Sequence, residues 1–262
     1  MYPYLFGVLP SYTVMMIVGI LAAVACFRLL SDKTKLPAKV YNFYSLNAVV
    51  SIAAGLLFAM LFQSVYNFFE TGVFKLEGMT FMGGLIGGAG TFVLVTLLSK
   101  KREVKRSFFV VAEIAAPCVC LAHALGRIGC TLAGCCYGIE SESGWFFPAV
   151  GKKVIPTQFI EACFLFALFA ALLVFTLKRS PRGFNLIIYC LAYAVFRFVI
   201  EFFRGDPRGA FVGALSPSQF QSIVLFLIGV GLLVFRLLCP DFYAPAPEKT
   251  DTVEEIRDAE NE

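Results

Sequence analysis

Seven apolar blocks, each close to twenty residues long, fill most of this chain, and that pattern leaves few folds open to it. They lie near 12–30, 43–66, 80–98, 108–125, 158–177, 184–203 and 218–238. A run of about 18 or more residues with few charges is long enough to cross a bilayer as a helix. Only 15% of the residues are charged and 59% are hydrophobic, against roughly 25% and 45–50% in a soluble domain. The sequence therefore predicts an all-α integral membrane protein with about seven transmembrane helices.

The basic residues of the short connections set the orientation. Arg28, Lys33, Lys35 and Lys39 separate the first two blocks; Lys100, Lys101, Arg102, Lys105 and Arg106 follow the third; Lys178, Arg179 and Arg182 follow the fifth. These connections are expected in the cytoplasm, and those near 67–79, 126–157 and 204–217 outside. An odd number of spans then puts the N-terminus outside and the C-terminus in the cytoplasm. The first block lacks a basic leader and a small-x-small cleavage site, so it reads as a retained span. Residues 1–239 form the expected transmembrane domain, and 240–262 an acidic, disordered cytoplasmic tail with eight Asp and Glu against Lys249 and Arg257. The net charge of +4 follows from this topology, and no nucleic-acid signature accompanies it.

Polar groups inside apolar blocks are costly and mark functional candidates. Tyr193, Arg197, Glu201 and Arg204 are spaced four, four and three apart, which puts them on one helix face. They read either as an Arg197–Glu201 ion pair that knits helices or as an anion site, because an Arg fork grips phosphate bidentately. Arg127 either snorkels to the interface or joins Arg197 and Arg204 at the outer membrane level, where three cations imply a lipid phosphate or another anion. His123, the only histidine, is an interhelical hydrogen-bonding group or a functional one. Gly83, Gly84, Gly87 and Gly88 signal close helix packing or backbone approach to a ligand.

Most of the nine cysteines sit inside the apolar blocks. Cys130, Cys135 and Cys136 cluster instead in GRIGCTLAGCCYG, at an outward loop or helix start. They fit small buried hydrophobes, a thiol redox group without the usual C-x-x-C spacing, or a soft-metal site completed by His123. They also fit a thiol lowered in pKa by a neighbouring Arg and contributing to catalysis.

Five stretches together carry a family resemblance. SYTVMMIVG, GMTFMGGLIGG, GRIGCTLAGCCYG, IPTQFIEA and YAVFRFVIEFFRGDP with LSPSQFQSI resemble, in order and spacing, the prolipoprotein diacylglyceryl transferases, seven-helix enzymes of the bacterial inner membrane. The resemblance implies transfer of a diacylglyceryl group from phosphatidylglycerol to a cysteine thiol of a lipoprotein precursor, with release of glycerol phosphate. The implied partners are that phospholipid, the lipoprotein precursor and membrane lipid. The expected localisation is the inner membrane, multi-pass, with the active face outward; no cofactor and no metal are expected. Arg127, Arg197, Tyr12 and Tyr193 are the expected catalytic positions. Arg204, Glu201, Met82, Gly83, Gly84, Cys130 and Cys135 are the expected substrate-binding positions.

The chain departs from the family pattern at several polar positions. Met82 stands where the family has His, Cys130 and Ala133 where it has Asn, Cys135 where it has Glu, and Ile155 where a His often stands. A divergent phospholipid-handling transferase with another acceptor, and a thiol redox or lipid-binding membrane protein without transferase activity, are the alternative readings.

Overall fold

Each apolar block becomes a helix. A computed structural model of the chain describes residues 3–5, 7–76, 78–178, 183–206 and 215–239. Helices α1 (Ser11–Lys33), α2 (Ala38–Thr71), α3 (Phe81–Leu98), α5 (Phe108–Ala133), α6 (Thr157–Leu177), α7 (Asn185–Ile200) and α8 (Pro217–Leu238) match the seven blocks, and α4 (Arg102–Arg106) is a short turn between α3 and α5. Among the described residues, six helices are long and apolar enough to cross a membrane; α3 is the shorter exception. Part of the basic 178–182 connection, most of the 204–217 segment and the acidic 240–262 tail fall outside the described residues.

The distribution of polarity is inverted relative to a soluble protein. Leu21, Leu29, Leu46, Leu57, Leu97 and Leu227 are exposed on helix surfaces, while Ser11, Asn47, Ser64, Thr96, Gln158, Glu161 and Asn185 are buried. Exposed apolar surface on this scale needs a nonpolar surrounding, and buried polar groups need partners inside the protein. The chain is an all-α membrane protein.

Two compact units divide the described residues: α1 with everything from Ala112 onward, and α2, α3 and α4 with the first residues of α5. In the second unit α2 and α3 lie against each other through glycine. A Cβ on Gly83 would fall 2.6 Å from the Phe58 carbonyl oxygen, and one on Gly55 would fall 3.0 Å from the Gly84 carbonyl oxygen. Asn47 donates to the Phe92 carbonyl at 3.0 Å and to Thr96 Oγ1 at 3.1 Å, and Tyr44 donates to the Val104 carbonyl at 3.0 Å.

In the first unit the signature segment extends a helix where a loop was expected. Helix α5 continues past residue 125 to Ala133, so only 134–156 lies between α5 and α6. The cause is packing. A Cβ on Gly129 would meet Met15 Cβ at 3.0 Å, and one on Gly19 would meet the Ala122 carbonyl oxygen at 3.1 Å. The glycines thus serve close α1–α5 contact within a continuous helix. Cys120, Ala124, Leu165, Leu168 and Leu172 form the core between α5 and α6. Glu113 of α5 accepts the Asn185 backbone N–H at 2.9 and 3.0 Å, satisfying a free donor at the start of α7.

Residues 140–154 form a small antiparallel hairpin of β3 (Glu140–Phe147) and β4 (Lys152–Val154), with Phe146 opposite Lys153 and Phe147 opposite Lys152. A second small hairpin, β1 (Tyr4–Leu5) and β2 (Leu9–Pro10), precedes α1.

Candidate active site

The first unit gathers its buried charges around the ends of α5, α6 and α7. At the centre is Glu161, one turn into α6 and 0% exposed. Its Oε1 accepts from Tyr193 Oη at 2.7 Å, and Arg127 Nε lies 3.0 Å from the same oxygen. His123 Nε2 stands 4.0 Å away, its Nδ1 is 3.1 Å from Tyr189 Oη, and its ring meets the Tyr193 ring edge-on at 4.6 Å. Glu161 Oε2 is buried without a hydrogen-bond partner. Isolated in an apolar helix, this carboxylate would be very costly; Arg127 and Tyr193 are what make it tolerable.

Arg197 forms the second element of the cluster and lies within electrostatic reach of Glu161. Its Nη2 donates to Ser218 Oγ at 2.8 Å and stands 2.9 Å from Glu201 Oε2. That last contact is an ion pair by distance but is not aligned as a hydrogen bond, so Glu201 Oε2 and Arg197 Nη1 are both left without hydrogen-bond partners. Glu201 Oε1 accepts from Ser216 Oγ at 2.9 Å. Ser216 is also the N-cap of α8, closing a capping box with Gln219. The start of α8 is thereby tied to the end of α7.

Arg204 departs from the helical stripe expected of it. Helix α7 ends at Ile200, a 3-10 turn covers Glu201–Phe203, and Arg204 is extended. It pairs across to Gly138, and its Nε and Nη2 grip Asp206 bidentately at 2.8 Å each; Nη1 is buried without a partner. Burial works against the Arg204 charge, but Asp206 and the neighbouring Cys136 more than offset it and hold the guanidinium above its ordinary pKa. The close approach needs glycine. A Cβ on Gly138 would lie 2.6 Å from the Phe203 carbonyl oxygen, and one on Gly205 would lie 2.8 Å from the Gly138 carbonyl carbon.

That pairing sets Cys136, one of three clustered thiols, beside Arg204. Cys130 is buried in the last turn of α5, Cys136 is half-buried and Cys135 is exposed. The chain reverses through Gly134 at φ 73° and Cys136 at φ 65°. The second is a left-handed position that costs an L-residue roughly 1–2 kcal/mol. Two wholly buried side chains of α6 hold the turn: Gln158 Nε2 donates to the Cys135 carbonyl at 2.8 Å and Thr157 Oγ1 to the Cys136 carbonyl at 2.9 Å. Hydrogen bonds from Cys130 and Cys135, with the Arg204 charge, hold the Cys136 thiol well below its usual pKa against the opposing effect of burial. The Sγ atoms of the three cysteines all lie within 4.8 Å of one another; His123 is not part of that group.

Of the expected site residues, the structure brings Arg127, Cys130, Cys135, Tyr193, Arg197, Glu201 and Arg204 into this region. Tyr12, 45% exposed at the start of α1, packs against Gly129, two residues beyond Arg127 on α5. Met82, Gly83 and Gly84 belong to the other unit, where the glycines face α2. Sequence reasoning missed Glu161, Gln158, Asp206, Ser216 and Ser218. A carboxylate inside an apolar block is itself a signal, and IPTQFIEA carried it.

The sequence profile of the prolipoprotein diacylglyceryl transferases matches residues 5–235. A Clostridium tetani protein named phosphatidylglycerol–prolipoprotein diacylglyceryl transferase is 34% identical over 249 residues, covering 89% of this chain and 95% of its own. A Dehalococcoides mccartyi protein of the same name is 29% identical, covering 86% and 88%. A Clostridium perfringens protein, named as transferase 2 of that kind, is 40% identical over 168 residues, and the match spans 62% of either chain. With the profile spanning nearly all of the described helices, the chain belongs to the prolipoprotein diacylglyceryl transferase family.

Proposed function

We infer that this protein transfers a diacylglyceryl group from phosphatidylglycerol to the thiol of a lipoprotein precursor. Relatives across most of the chain's length bear that activity in their names. The observation that carries the reading onto this chain is a set of buried cations already held in place, with donors to spare. Arg197 and Arg204 are each braced by a carboxylate, and each keeps one buried Nη1 without a partner. Leaving a buried donor unpaired costs about 1–3 kcal/mol, which a phosphate oxygen relieves on binding. The bracing carboxylates fix the forks in advance, so little reorganisation is needed when charge develops.

In the reaction the acceptor sulfur attacks the glyceryl carbon next to the phosphate, the C–O bond breaks, and its electron pair leaves on glycerol phosphate. Arg197 and Arg204 stabilise the departing phosphate. The thiol proton must go to a base, since the thiolate is the nucleophile. Glu161 Oε2, unpartnered and linked through Oε1 to Arg127 and Tyr193, is the carboxylate available for it. Tyr12 and Glu201 shape the headgroup end. The site faces outward in the bacterial inner membrane, with the N-terminus outside and the C-terminus, including the acidic 240–262 tail, in the cytoplasm.

The test is transfer by the purified chain in nanodiscs containing phosphatidylglycerol, with a peptide bearing a single acceptor cysteine. A peptide mass gain of one diacylglyceryl group, with matching release of glycerol phosphate, is expected. Glycerol phosphate release without peptide modification, or no turnover by folded protein, overturns the reading.

A further inference from the structure

Three cysteine sulfurs converge where the chain has just reversed on itself, and the transferase reading leaves them without a task. We propose that Cys130, Cys135 and Cys136 bind a zinc ion whose fourth ligand is the acceptor thiol, a role that rests on the transferase reading. The spacing fits. Zinc–sulfur bonds of about 2.3 Å in a tetrahedron place sulfurs roughly 3.8 Å apart, and the three Sγ atoms already lie within 4.8 Å of one another.

The scaffold is built rather than incidental. Cys130 is fixed by α5, and the carbonyls of Cys135 and Cys136 are each pinned by a buried α6 side chain. A left-handed Cys136 persists between them, and such a conformation is retained only where its surroundings impose it. Three small hydrophobes filling space would need neither the pinned carbonyls nor the exposure of Cys135. An all-thiolate donor set selects a soft ion such as zinc. Three protein ligands with one open position are the pattern of a reactive zinc site, in contrast to the closed four-ligand structural one.

Charge and access agree with this. Three thiolates around a divalent cation leave one net negative charge. Arg127 lies within electrostatic reach of Cys130, and Arg204 of Cys136, so two guanidinium groups are near enough to offset that charge. Burial falls from Cys130 to Cys135, so the open position is reachable from the exposed side. An acceptor thiol binding there gives up its proton to Glu161, the base of the transferase reading, because the zinc-bound form is the thiolate. The bound sulfur attacks the glyceryl carbon, the C–O bond electrons leave with glycerol phosphate, and the product thioether, a weaker ligand than thiolate, is released. No electron is gained or lost by the metal.

The experiment uses the full chain purified in nanodiscs after exposure to zinc. Elemental analysis is expected to find stoichiometric zinc, falling at least tenfold in each of Cys130→Ser, Cys135→Ser and Cys136→Ser. Chelation of the unmutated chain is expected to release it and lower the Tm, which removes any dependence on folding of the variants. Cobalt in its place is expected to show sulfur charge-transfer absorption that rises when a cysteine-containing acceptor peptide is added but not its serine counterpart. Protein that stays metal-free after zinc exposure, variants that retain zinc, or a disulfide joining Cys130 to Cys135 or Cys136 in unreduced peptides overturns the site. Full transfer activity after chelation overturns the thiol-activating role while leaving the transferase reading intact. Zinc binding with peptide-responsive cobalt spectra but no transfer leaves the site standing and removes the transferase reading.

Discussion

Glu161 puts a carboxylate at a wholly buried position of α6, and Arg127 and Tyr193 are the groups that make it tolerable there. Arg127 and Tyr193 occupy one oxygen and leave the other open. Glu161→Gln keeps the volume and an acceptor for Tyr193 but removes the base, so kcat per folded molecule should fall roughly 100-fold or more. The Tm should fall as well, because Arg127 loses its counter-charge; an unchanged kcat would remove Glu161 from the chemistry. Arg197→Lys makes a complementary point. Lysine keeps the charge but cannot serve Ser218, Glu201 and a phosphate oxygen from one planar fork. A loss of about 100-fold in kcat, comparable to removal of one oxyanion donor, is the expected outcome in the same transfer assay. The arginines were legible in the sequence because a charge deep in an apolar block has few reasons to be there. Asp206, Ser216 and Ser218 were not, since short polar residues near a helix end look alike until the fold shows which cation they face.

At the scale of elements, glycine placement carried information that periodicity did not. The apolar blocks gave the order of the long helices because bilayer thickness dictates their length. They did not give the end of α5, since Gly126 and Gly129 look like a helix terminus until α1 is seen packed against Gly129. The β3–β4 hairpin was not legible either. Its first strand, ESESGWFF, lacks a clean alternation, and its register shifts between Glu140 and Trp145. Two glycines of α3 offer a controlled test of the packing argument. A Cβ on Gly83 would collide with the Phe58 backbone, whereas one on Gly90 would meet nothing within 4 Å. Gly83→Ala should therefore destabilise by about 1–3 kcal/mol through overpacking. Gly90→Ala should be neutral or stabilising by up to about 1 kcal/mol through helix propensity. Thermal unfolding in detergent distinguishes them, and equal effects of the two would show that α2–α3 contact does not depend on glycine.

For the whole molecule, orientation depends on whether α3 crosses the membrane. Its 18 residues rise about 27 Å at 1.5 Å per residue, close to the roughly 30 Å hydrocarbon core, and the basic cluster from Lys100 to Arg106 follows it immediately. Basic residues within short connections resist translocation, which predicts that end in the cytoplasm. Lys75 before α3 and Ser141 after α5 are then expected outside, and Ser99 inside. Single cysteines at these three positions, in a chain whose nine native cysteines are replaced, give the assignment directly. In intact cells a membrane-impermeant maleimide should label Lys75→Cys and Ser141→Cys, and should label Ser99→Cys only after the membrane is opened. Lys75→Cys and Ser99→Cys reacting from the same side would show that α3 does not span. Ser99→Cys reacting from outside with Ser141→Cys protected would invert the orientation, and with it the compartment in which the acceptor thiol meets Arg204 and the three cysteines.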